Sequence, residues 1–444
     1  MGALVGDDQR GIKVTQDGEG WSIPPASAQH RRLRMINRGL TGPHQSSSRV
    51  VHFHTSAPQP CLVASPAAAR RPLTVAFAGV HRSIPRPPAA AGGGGPGGPD
   101  HPGGHNWASG FAQLSSEDIR VTAVYDFDSN TREAFLQAWG PTWPGMVLHH
   151  NLYSMLESEA PDILCLATAQ GLHADHIEAA AAAGVRGIVV EKPLCTTLAE
   201  ADRIFAAAER HGVKLANGTE LRWDRRYMRL AELIADGLVG EVRHITAMGV
   251  GDLINHGCHF YDTMLMLTGD PDPVWVRGTV DDVSSLPADD WHRGDPPGHG
   301  VVGLSNGVTL TVMPEGGARA FSVVGTKGRL EIVNEARQAW HIAFDDTGAS
   351  LAPRLVPGVE DDPDYDRKWV RGGELVRDLV AAVQALRPET RTRCDVPEMR
   401  KLTEIGFALH ASSSKGGALV TLPVAEAERR SIHVDSRRWG NDPR

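Results

Sequence analysis

Four short, largely apolar runs separated by helix-length segments constrain this chain more than any other feature. They are Leu73–Ala78, Val121–Tyr125, Ile163–Ala167 and Gly187–Val190. A strand buried on both faces reads this way, because the helices of a parallel sheet cover both of its sides. Helical stretches are expected at Thr131–Trp139, Tyr153–Glu159, His173–Ala183 and Leu198–His211, the last leading to a final strand at Lys214–Ala216. Strand and helix in strict alternation predict a doubly wound parallel sheet, whose ligands sit at the carboxyl ends of its strands.

Those ends carry the polar residues of interest. Gly79 follows the first strand, as in a dinucleotide-binding Gly-x-Gly-x-x-Gly turn, but His81 stands where the second glycine would be. A Gly/Pro-rich insert, residues 82–104, then delays the first helix until His105 or Asn106. Asp126 ends the second strand, placed to bond a ribose 2′-hydroxyl and to repel a 2′-phosphate. Phe127 and Asp128 add no cation there, so NAD is expected ahead of NADP. Glu191, Lys192 and Pro193 end the strand Gly187–Val190, and the proline's fixed φ holds the lysine in place.

After Gly218 the pattern changes. A helix over Tyr227–Asp236 and a strand over Val242–Met248 precede Gly251–Thr268, in which Asn255 and His259 lie four apart and are expected to share one helical face, with Asp262 near it. Strands then follow without intervening helices, predicting a mostly antiparallel sheet. Helices are expected at Gly372–Leu386 and from Asp395, with Glu398 placed for a capping box, before a last strand at Leu419–Leu422. The domains read as a disordered extension over 1–71, a nucleotide-binding unit over 72–218, a substrate and oligomerisation unit over 219–424, and a polar tail over 425–444.

A formal net charge of -8 offers no basic footprint for nucleic acid. No apolar run approaches the roughly 20 residues of a membrane span. Five scattered cysteines without a Cys-x-x-Cys suggest reduced thiols in a cytoplasmic compartment and no metal site. Residues 20–99 hold no acidic side chain and many arginines, so an organelle-targeting leader is the other localisation the chain admits.

Thr168 with His173, Glu191-Lys192-Pro193-Leu194, Leu253-x-Asn255-x-Gly257-x-His259-x-x-Asp262 and Gly325-Thr326-x-Gly328 together resemble the glucose-fructose oxidoreductase / inositol dehydrogenase (Gfo/Idh/MocA) family across residues 73–424. The resemblance implies a Rossmann domain joined to an α/β domain whose open sheet forms a homo-oligomer interface. It implies bound NAD, with NADP as the other option, and hydride transfer at a sugar or cyclitol hydroxyl. Gly79, Val80, Asp126, Thr168, His173, Glu191 and Lys192 would then contact the cofactor. Lys192, Arg222, Asn255 and His259 would contact substrate, with Lys192, His259 and Asn255 catalytic. The family pattern has aspartate where this chain has Asn255, which leaves proton transfer to His259 assisted by Lys192. On this reading Asn255→Asp is expected to be tolerated and to give His259 a carboxylate partner. Two other functions fit the same residues: a non-catalytic nucleotide-binding sensor, and a sugar hydrolase or epimerase without net redox.

Overall fold

Parallel pairing joins the predicted strands in one sheet. The computed structural model describes residues 71–83, 106–280, 295–359, 368–385, 387 and 389–434, all within one compact unit, Ala67–Arg444. Strands β1 (Leu73–Ala78), β2 (Ile119–Tyr125), β3 (Val147–His149), β4 (Ile163–Leu166), β5 (Gly187–Val190) and β6 (Lys214–Asn217) lie in the order β3-β2-β1-β4-β5-β6. That is the dinucleotide-fold order, with its crevice where β1 lies between β2 and β4. The connecting helices are α1 (Trp107–Phe111), α2 (Ser129–Trp139), α3 (Leu152–Glu159), α4 (His173–Ala182) and α5 (Leu198–His211). α5 shows why the local pattern was legible: Thr197 and Glu200 close a capping box, and Gly212, at φ 69°, ends the helix.

The second half opens with α6 (Arg225–Ala235), β7 (Val242–Met248) and α7 (Gly257–Leu267). β8 (Pro273–Val280), β9 (Gly298–Leu304), β10 (Thr309–Met313), β11 (Ala320–Gly325), β12 (Gly328–Val333), β13 (Gln338–Ala343) and β14 (Arg354–Leu355) follow. Helices α8 (Lys368–Gln384) and α9 (Val396–Ser414) and strand β15 (Val420–Thr421) complete it. The nine strands run β14-β13-β12-β11-β7-β10-β9-β8-β15, and β7 with β10 is the parallel pair in an otherwise antiparallel sheet. Asp395 and Glu398 form the expected capping box on α9.

Three features depart from the sequence reading. α8, assigned with the second domain, packs on β5 and β6 and on α1 of the first sheet. A Cβ on Gly187 would lie 2.6 Å from the Val383 side chain, and Arg186 donates to the Val383 carbonyl at 2.6 Å. The tail past Pro423 is also packed: Val424, Ile432 and Val434 are buried, and Arg429 clamps Asp202 of α5 to Glu404 of α9. Arg71, placed in the extension, forms a two-bond ion pair with Asp162 at 2.6 and 3.0 Å. The rest of that extension and most of the Gly/Pro-rich insert lie outside the described residues, as does the first part of the loop before β9. Among the described residues, no helix is long and apolar enough to cross a membrane. Cys165, Cys195, Cys258 and Cys394 are unbonded and buried, as expected of small core residues.

Candidate active site

At the crevice, β1 and β4 approach so closely that only glycine fits. Gly79 has φ +81°, and a Cβ there would lie 2.5 Å from the Ala167 carbonyl oxygen and 2.8 Å from the Thr168 nitrogen. Asp126 stands at the end of β2, buried, and one carboxylate oxygen accepts from the Val80 amide at 2.9 Å. Its other oxygen accepts from the Asp128 amide at 3.2 Å, and Arg132 donates to the Asp126 carbonyl at 2.6 Å. A cation therefore caps the end of β2 at the Asp126 main chain, which reading only the next two residues does not reveal. α1 is just five residues long, shorter than the helix expected.

His173, expected among the cofactor contacts, faces protein carbonyls. Its ring is 1% exposed and is held between the Leu194 and Thr168 carbonyls, at 3.0 Å each. Burial lowers its pKa, and it ties the loop after β4 to the Glu-Lys-Pro loop. Thr168 meets His176 through its hydroxyl at 3.0 Å, and burial followed by the charge of His173 lowers the His176 pKa to about 4.

After β5, Glu191 accepts from the Lys192 amide at 3.0 Å and from the Trp107 indole at 2.8 Å. Lys192 reaches into the second half of the chain. Its ammonium donates to the Asn255 side-chain oxygen at 2.8 Å and to the Asn255 carbonyl at 3.2 Å. Among the described residues no carboxylate lies within ion-pair distance of it.

Asn255 does not share a helical face with His259. It lies in the turn before α7, which begins at Gly257. Gly257 is required because a Cβ would sit 2.7 Å from the Tyr261 hydroxyl, which is itself bonded to the Leu253 carbonyl at 2.8 Å. Two buried carboxylates hold the turn, neither of them predicted as site residues. Asp295 accepts from the amides of Ile254 and Asn255 at 2.9 and 2.7 Å and faces His410 at 3.1 Å. Burial raises the Asp295 pKa, opposed by the His410 bond. Asp252 accepts from the Asn255 side-chain amide at 3.3 Å and faces His256 at 2.8 Å. Burial opposes its ionisation, but the His256 bond more than offsets this and its pKa is lowered.

Asn255 thus presents an acceptor to Lys192 and a donor to Asp252 at once. An ionised aspartate cannot do both, so Asn255→Asp would lose the bond to Asp252. The carboxylate near His259 comes from elsewhere. Glu220, in the single turn after β6, places Oε2 3.6 Å from His259 Nδ1, with side chains 7% and 5% exposed. Cys258 lies among these groups: its thiol bonds the Asn255 carbonyl, and burial pushes it to about 12 against the Lys192 charge.

Arg222, expected at the substrate, meets two carboxylates. Its buried guanidinium is taken up by Asp262 at 2.6 Å and Asp270 at 2.7 and 2.8 Å. It borders a separate cavity of about 830 Å³, shared with Met228, Met266 and Arg393 and not with Lys192, Asn255 or His259. Asp262, fully buried, is pushed up by burial and pulled back by that arginine.

Known proteins share part of this sequence and its fold. Residues 93–219 match the Gfo/Idh/MocA family model, described as an oxidoreductase family with an NAD-binding Rossmann fold. The chain is 28% identical over 224 residues to 1-carboxy-3-chloro-3,4-dihydroxycyclo hexa-1,5-diene dehydrogenase of Comamonas testosteroni, covering 46% of this chain and 53% of that one. It is 27% identical over 150 residues to scyllo-inositol 2-dehydrogenase (NADP(+)) of Bacillus subtilis, covering 30% and 42%. The chain spans about half the length of the first curated relatives it matches. An NAD binding oxidoreductase from Klebsiella pneumoniae shares the fold at TM-score 0.60 and 16% identity, over 79% of this chain and 99% of that one. The family match covers residues 93–219, so the similarity to the Gfo/Idh/MocA oxidoreductases is carried by the parallel-sheet half of the chain.

Proposed function

We propose that the chain is an NAD(P)-dependent oxidoreductase that interconverts a hydroxyl and a carbonyl on a sugar, cyclitol or related polyol. The observation that carries this is the Lys192 ammonium, held 2.8 Å from a neutral Asn255 oxygen at the carboxyl end of the parallel sheet. A cation fixed by neutral partners keeps its charge available for an oxyanion.

The crevice fits a dinucleotide. Gly79 removes a side chain from its mouth, and Asp126 stands at the β2 end where a ribose binds in this topology. When bound, the nicotinamide supplies or accepts the hydride. Gly79, Val80, Thr168 and Glu191 would border the cofactor, Asp126 would bond its ribose, and Lys192 would serve both the nicotinamide side and the substrate. Asp126 favours NAD, while Arg132 beside it supplies a cation that a 2′-phosphate could use. Lys192 stabilises negative charge on the substrate oxygen, Asn255 positions Lys192, and His259 takes or returns the hydroxyl proton. The open face of the nine-stranded sheet carries His244, Thr246, Thr309 and Ser322, all partly exposed, and suits pairing of two copies. A cytoplasmic setting accords with the unbonded cysteines.

The test is NADH or NADPH absorbance with inositols, aldoses, amino sugars and sugar lactones, comparing wild type with Lys192→Met. Turnover abolished by Lys192→Met supports the reading. Full turnover in that variant overturns it. Tight NADH binding without turnover on any substrate favours the sensor function.

A further inference from the structure

We infer that Glu220 is a positioning residue for His259, and that this pair does the carboxylate–imidazole work that Asn255 cannot. The inference rests on the oxidoreductase reading above. Glu220 follows Gly218, and a Cβ on Gly218 would lie 3.2 Å from the Lys192 amide and 3.3 Å from the Trp107 ring. The same close crossing that seats Lys192 therefore delivers Glu220. His259 sits in the first turn of α7, with Nδ1 3.6 Å from Glu220 Oε2 and both side chains more than nine-tenths buried. That separation is an ion-pair distance beyond hydrogen-bond reach; away from water, a carboxylate there favours the charged imidazolium and a proton on Nδ1.

The neighbouring charges are committed elsewhere. Asp262 and Asp270 hold Arg222, and Asp252 holds His256. Asp295 holds His410 and the turn amides, Glu191 holds Trp107, and Lys192 is bonded to Asn255. On this proposal Nδ1 carries the proton that faces Glu220, and Nε2 is the acceptor for the substrate proton. In the oxidative direction the substrate O–H bond breaks and its proton goes to Nε2. A bound oxidised nicotinamide would supply the acceptor for the carbinol hydride, so that the substrate carbon ends as a carbonyl. Glu220 stabilises the imidazolium so formed and does not itself change protonation.

The experiment is a pH titration of the full chain labelled with ¹⁵N-histidine, following ring-nitrogen shifts. The His259 signals are identified among 20 histidines by their loss in His259→Gln. Glu220→Gln should lower the His259 pKa by about one unit or more and mix its tautomers, and Glu220→Asp should restore part of both. On a turned-over substrate, Glu220→Gln should lower kcat roughly 10-fold or more, with KM little changed, and move the acid limb of the pH profile down. An unchanged His259 titration in a folded Glu220→Gln protein overturns the inference. If Glu220→Gln does not fold, Glu220→Asp decides: an unchanged tautomer and pH profile overturns it. Because the titration needs no turnover, its failure is separate from that of the oxidoreductase reading, which the Lys192→Met assay tests.

Discussion

Arg222 and Lys192 are both cations near the carboxyl end of the parallel sheet, and the protein treats them in opposite ways. Arg222 is buried and neutralised by two carboxylates, with Lys401 packed against the Asp270 carbonyl beyond them. Lys192 is half-buried and rests on one neutral side chain and one backbone carbonyl. This ion-pair cluster ties α7 to the turn after β6. An ammonium that is oriented but not neutralised keeps its field for a substrate. An arginine and a lysine near strand ends read alike in sequence, and what separates them is their partners.

The largest effect should come from breaking the closed cluster. Arg222→Met strands the fully buried Asp262, and a loss of about 3–5 kcal/mol in urea unfolding is expected. An unchanged midpoint would mean that the cluster is not structural and would collapse the contrast. Next, Lys192→Met should leave the melting temperature within a few degrees and lower kcat/KM about 10²–10³-fold. A fall in stability as large as that of Arg222→Met would place Lys192 in the same class.

A smaller effect sharpens the comparison from the side of its partner. Asn255→Asp sets a carboxylate about where an amide now donates to Asp252 at 3.3 Å. It should neutralise Lys192, lower turnover roughly 10-fold and cost about 1–2 kcal/mol at neutral pH. That stability loss should shrink as pH falls toward 4, where the new carboxyl is protonated; a loss independent of pH would point to packing instead.

The smallest effect is a pH slope set by the two histidines behind the crevice. Burial depresses His173, and depresses His176 to about 4, so the unfolded chain binds more protons than the folded one between about pH 6.5 and 4. Their contribution is full above about pH 6.5 and is lost as pH falls through that window. His176→Gln should flatten the melting-temperature profile there. A profile unchanged by that substitution would show that His176 does not titrate differently on folding.

How much could be read beforehand follows from the range of the forces. β5 and α5 were legible to the residue because apolar runs and capping boxes act within a few residues. β3 was missed because it is three residues on a sheet edge, too short to show a period. Asn255 was placed on the helix because i,i+4 spacing does not reveal where a helix begins; here Gly257 and the Tyr261 hydroxyl decide it. Glu220 carried no local signal beyond standing three residues past β6, and Asp295 lay in a loop that periodicity cannot read.

The chain's own pattern determined the two sheets, the residues at the ends of β1, β2 and β5, and the motif lysine and histidine, because backbone propensity and burial period are local. Tertiary structure alone decided what those residues face. It brought α8 back onto the first sheet and tied the tail across α5 and α9. It also set Asn255 between Lys192 and Asp252, and laid Glu220 beside His259 across 39 residues of chain. Electrostatic and hydrogen-bond partners are chosen by distance in space, which spacing along the chain does not encode.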